Sequence, residues 1–181
     1  MRLCVPALCL FAFLPVFAAD PAPIGKTFDG QLKMVEGEVV SLVEAMPENK
    51  FQFAPSAGEF KNVRTFAQQA THIGFVNYAV ASAALGEKNP TEAGQNENGP
   101  ANLKTKADIV KYLKDSFAYA HRAMQMLTDA NINGMVKSAF GNGEVPRIYM
   151  ANVALWHSMD HYGQMVVYAR MNNIVPPASR Q

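Results

Sequence analysis

A chain of 181 residues, 49% hydrophobic and 17% charged, is long enough for one substantial core and too apolar to be disordered. Lysine plus arginine number 16 against 15 acidic residues, so there is no net field to draw in nucleic acid or an anionic membrane surface. Lys104, Lys106, Lys111 and Lys114 interleave with Asp108 and Asp115, the pattern of a solvated helix face.

The chain starts with a short positive end, Met1-Arg2, followed by an almost continuous apolar run from Leu3 to Phe17. Val16-Phe17-Ala18 then supplies the small or aliphatic residues read by a signal peptidase. Residues 1–18 are predicted to be a secretory signal peptide, too short and wrongly flanked to span a membrane. The mature chain, 19–181, is predicted to be a single domain, exported to a periplasmic or extracellular space, with no stable membrane anchor once the signal is cleaved. Cys4 and Cys9 are the only cysteines and leave with the leader. The mature chain then has no disulfide, no thiol nucleophile and no cysteine ligand, so any metal must sit on nitrogen and oxygen. Loss of Arg2 also makes the basic and acidic residues equal in number.

Four segments follow with helical periodicity. Phe28, Leu32, Val35, Val39, Val43 and Met46 recur at three- and four-residue steps, predicting a helix from Thr27 to Met46 that Pro47 stops. After a loop to Phe60, a second helix is predicted from Lys61 to Leu85, closed by Gly86. Gly86 to Asn102, with Pro90, Gly94, Gly99 and Pro100, is an unusually long connection for a compact domain. It would cross the end of a bundle or cover a site. Thr105 and Asp108 resemble a capping box ahead of a third helix marked by Ile109, Leu113, Phe117, Ala120, Met124 and Leu127. Asn131 to Glu144 breaks that helix. Pro146 suits the first turn of a fourth, which reaches Met171 and is ended by Asn172-Asn173 and Pro176-Pro177. The chain is therefore predicted to be all-α, a four-helix bundle.

His157-Ser158-Met159-Asp160-His161 places two imidazoles one turn apart on one helix face. Ser158 follows the first histidine where HExxH proteases carry glutamate, which excludes that chemistry. His72 lies mid-way along the second helix in an apolar run, so a three-imidazole site between two helices follows naturally. Three neutral nitrogens would leave coordination positions open, as catalytic metal sites do. Asp160 could orient a ligand histidine or lie at the surface. Gln164 could reach the site or bond across the bundle. Trp156 and Tyr162 could pack or line a pocket, and His121 is left out.

These residues resemble the DinB-like (DinB/YfiT) metalloenzyme family over nearly the whole mature chain. The resemblance is carried by Glu44 to Phe51 with Phe53-Ala54-Pro55, by Val63-Arg64-Thr65-Phe66 through Thr71-His72-Ile73, by Trp156-His157 to Gln164, and by Tyr168 to Pro177. It implies one metal ion held by one histidine of the second helix and two of the fourth, matching His72, His157 and His161. Nickel, zinc, iron and manganese all occur as implied occupants. Some relatives are thiol transferases that use bacillithiol or mycothiol, but an oxidising exported space would hold little reduced thiol. The expected function is a metal-dependent transferase or hydrolase acting on an unidentified small molecule. The alternative is a bundle that binds metal or a small ligand without catalysis, and a third reading makes the histidines remnants. An apolar helix face would also suit a homodimer.

Overall fold

A computed structural model describes residues 23–91 and 96–180. The signal peptide expected over residues 1–18 lies outside the described residues, and no described helix is long and apolar enough to cross a membrane. Four long helices make up the fold: α1 Ile24–Ala45, α2 Phe66–Leu85, α3 Lys106–Gln125 and α4 Arg147–Met171.

Each helix end has a local cause. Pro23 precedes α1 and presets its first turn, so the helix starts three residues before the predicted Thr27. The α2 start differs more. Lys61 to Thr65 stay outside the helix because Asn62 takes a left-handed φ of 64° and Thr65 caps the chain that follows. Thr65 Oγ1 accepts from the Gln68 backbone N–H at 3.2 Å, and Gln68 Oε1 accepts from the Thr65 N–H at 2.9 Å. This capping box was present in the sequence as Thr65 and Gln68. At the other end Gly86 takes a φ of 72° and its N–H reaches the Ala83 carbonyl, closing α2 as predicted. The Thr105–Asp108 box also forms, with bonds of 3.0 and 3.1 Å.

Between α3 and α4 the structure departs from the all-helical expectation. Met135–Lys137 (β1) and Glu144–Pro146 (β2) form an antiparallel hairpin with Val136 opposite Val145. Val136 is the buried member of β1. Pro146 ends β2 and sits just ahead of α4 rather than within its first turn. Strands of three residues carry too little alternation to be read from sequence.

The core is one cluster that includes Leu32, Leu42, Phe66, Ile73, Phe117 and Met165. α2 packs on α3 and α4, α1 packs on α3 and α4, and the α1–α2 and α3–α4 pairs lie diagonally across the bundle. Side-chain contacts set the directions. Asn77 meets Ser116 and Ser82 meets Tyr119, so α2 and α3 run parallel. Gln69 meets Gln164 and Arg147 reaches the Ala84 carbonyl, so α2 and α4 are antiparallel. Lys106 at the start of α3 donates to the Glu44 and Met46 carbonyls at the end of α1, which sets those two antiparallel.

Parallel neighbours cannot be joined by a short turn, which explains the long connection from Gly86 to Thr105. Glu97 to Gly99 of that connection lie beside the first half of α2. Gly99 takes a φ of 81° and approaches Thr71 so closely that a Cβ would come within 3.2 Å of the Thr71 side chain and carbonyl. The connection passes directly over the histidine of α2.

Candidate metal centre

His72 projects from α2, and His157 and His161 from adjacent turns of α4. Ring centroids are 5.0 Å apart for His72–His157, 4.8 Å for His72–His161 and 4.5 Å for His157–His161. One nitrogen from each ring falls within 4.8 Å of the other two. The three predicted residues are thus brought together and could hold a metal ion. Among the described residues no aspartate, glutamate or fourth histidine joins them.

Hydrogen bonds on the far side of the rings decide which nitrogen faces inward. His72 Nδ1 lies 2.5 Å from the Glu97 carbonyl oxygen, an acceptor only, so Nδ1 carries the proton and Nε2 keeps its lone pair. The orientation of His161 follows from a longer chain. The Gln164 amide group donates to an Asp160 carboxylate oxygen at 3.2 Å. That turns Gln164 Oε1 toward Gln69 Nε2 at 2.9 Å, and Gln69 Oε1 toward His161 Nδ1. His161 therefore also carries its proton on Nδ1 and offers Nε2. His157 Nε2 sits 3.2 Å from His161 Nε2, on the shared side.

Two of three imidazoles thus have the outer acceptor that metal-ligating histidines ordinarily use. His157 Nδ1 is buried with no partner among the described residues. Its ring is held by packing, edge-on to Trp156 with centroids 5.8 Å apart. The donor set fits a borderline or nitrogen-preferring divalent ion, since all three groups are imidazoles.

Burial also prepares the rings electrically. Desolvation, with the neighbouring imidazoles, pushes His157 down to about 3 and His161 down to about 4. His72 is lowered too, again chiefly by burial. At neutral pH all three are uncharged, the form a metal requires.

Asp160 and Gln164, each open to two readings in the sequence, act at one remove. Gln164 bonds across the bundle, and Asp160 lies at the surface and orients it. Gln69 is the residue that links them to the triad, and its position one turn before His72 was the available signal. Arg64, whose charge is felt at all three imidazoles, was also missed. Trp156 is half exposed and lines an apolar groove of about 420 Å³ between α1 and α4 with Met34, Val35, Leu155 and Met159. None of the three histidines lines that groove. Tyr162 lies near Glu38 of α1, whose charge adds to burial in raising its phenol. His121 stands apart, between Asp29 (2.6 Å) and Glu36 (3.2 Å) of α1. Its two nitrogens face different carboxylates, an arrangement that cannot converge on one ion.

Residues 31–165 match the DinB superfamily. The chain belongs to that superfamily. Its fold is similar to that of a DinB-like protein from Bacillus cereus, with a TM-score of 0.66 at 16% identity over 84% of this chain and 95% of that one. A DinB-like protein from Bacillus subtilis gives a TM-score of 0.64 at 14% identity, covering 86% of this chain and 99% of that one. At such identities the likeness speaks for the fold alone. The comparison with curated proteins finds no match.

Proposed function

We propose that this DinB superfamily member is an exported metalloprotein in which His72, His157 and His161 hold one divalent ion. It would serve a transferase- or hydrolase-type reaction on a small molecule. The observation that carries the metal reading is the convergence of three neutral imidazoles, two of them with the outer nitrogen already anchored. A divalent ion held there would supply Lewis acidity and keep coordination positions free for a substrate. Nickel, zinc and iron suit an all-imidazole donor set better than manganese.

The protein's own residues supply orientation. Glu97 and Gln69 hold two rings in the ligating tautomer, and burial keeps protons off all three. The apolar groove beside Trp156 is not lined by the histidines, and this favours the second reading, metal binding without catalysis. Export rests on the leader composition of residues 1–18.

Elemental analysis of the purified protein beside His157→Ala tests the site. Near one equivalent of metal in the parent, lost in the variant with helical content retained, is the expected result. Equal metal in both would overturn the ligand assignment.

A further inference from the structure

Arg64 stands directly before the Thr65 cap of α2 and is fixed from several sides. Its carbonyl accepts from Tyr168 Oη at 3.1 Å, which ties its backbone to α4, the helix of His157 and His161. Its Nε donates to Asn98 Oδ1 at 2.9 Å and its Nη2 to Glu97 Oε2 at 3.1 Å. Glu97 is also the residue whose carbonyl orients His72. The guanidinium is thus braced by the segment that positions one histidine, and its backbone by the helix that carries the other two.

A purely structural role explains this arrangement poorly. The Glu97 side chain is 69% exposed and that of Arg64 30%, and ion pairs so open to water contribute little stability. Both side-chain contacts use the Nε–Nη2 edge of the guanidinium. A guanidinium carries five donors in a planar fork, so Nη1 and the outer N–H of Nη2 are not committed by these contacts. The charge balance points the same way. Three neutral imidazoles do nothing to offset a divalent ion, and Arg64 adds a further positive charge that acts on all three rings.

We propose that Arg64 is the oxyanion anchor of this centre, and that the substrate is a small organic anion. Its carboxylate or phosphate group sits on the open edge of Arg64 while a second donor atom lies at the histidine triad. The proposal rests on the metal reading above. Arg64 binds by the bidentate geometry that guanidinium offers oxyanions, and the Glu97–Asn98 brace orders it beforehand. Glu97 has an opposing effect as well, because its carboxylate partly cancels the charge that draws the anion in.

The test titrates nickel-loaded protein calorimetrically with acetate, malonate, succinate and glutarate, with metal content measured before and after. Acetate can serve one end of the site only, whereas a dicarboxylate of the right length serves both. At least one dicarboxylate is expected to bind about tenfold tighter than acetate, and Arg64→Gln is expected to abolish that advantage while nickel content stays unchanged. Glu97→Gln, which keeps an acceptor for Arg64 but removes the opposing charge, is expected to tighten dicarboxylate binding severalfold. No advantage over acetate in the parent, or the same advantage in Arg64→Gln, overturns the proposal. Should Arg64→Gln shed its metal, Glu97→Gln decides: tighter binding supports the anchor, and unchanged or weaker binding overturns it. Should nickel fail to bind the parent, which is visible before any titration, zinc or iron takes its place, and failure of all three overturns the metal reading, and this proposal with it.

Discussion

Gln69 shows how much a single buried amide can decide. It is nearly inaccessible to solvent, and it joins His161 to Gln164 and through it to Asp160. Gln69→Ala would leave the His161 Nδ1–H and the Gln164 carbonyl without partners. Outer hydrogen bonds of this kind are commonly worth about 10- to 100-fold in metal affinity. Gln69→Ala is therefore expected to weaken binding by about that much without removing a ligand, measured by competition with a chromophoric chelator. Gln164→Ala, one link further out, is expected to cost less, because Gln69 Oε1 still faces His161. His157 and His161 were legible in the sequence because their spacing is helical and local, and His72 because it lies mid-way along a predicted helix and matches the ligand position that the family resemblance implies. Gln69 offered only its position one turn before His72, because it meets its partners on another helix, and Glu97 offered nothing, because it arrives with a distant loop.

At the scale of elements, the four helices were legible because apolar residues recur at helical steps and because Gly86, Thr105 and Pro47 mark boundaries. The start of α2 was misplaced by the apolar Val63, which extends the periodic pattern back beyond the Thr65 cap. Thr65→Ala removes an acceptor for an otherwise unpaired helix N–H and is expected to cost about 1 kcal/mol. Urea unfolding would check this, as a lower midpoint with an unchanged slope. Because Thr65 adjoins Arg64, that variant also asks whether fraying the start of α2 reaches the triad. The β1–β2 hairpin was missed because one buried valine, Val136, and a partly buried partner, Val145, are too few to set a period.

For the whole molecule, placing three imidazoles in one interior makes stability depend on pH. In the unfolded chain a histidine titrates near 6.5, whereas in the fold His157 and His161 sit at about 3 and about 4. Above about pH 6.5 both states are neutral at these rings and stability is unaffected by them. Below it the unfolded chain takes up protons that the folded chain refuses, so stability falls as pH drops toward 4. The melting temperature of metal-free protein is expected to be flat near pH 7 to 8 and to decline from about 6.5 downward. In His157→Gln that decline should be shallower, and an identical slope would show that other groups cause it.

The sequence by itself determined the helical class, the superfamily resemblance and the His157–His161 pair, because each depends on local spacing and residue type, while His72 joined them through the resemblance. Only the tertiary structure decided that α2 and α3 run parallel, and that the connection between them brings Glu97 onto His72 and against Arg64. Local periodicity states which face of a helix is buried, but it does not state which helix covers that face or in which direction it runs. Those choices follow from how all four helices share one core.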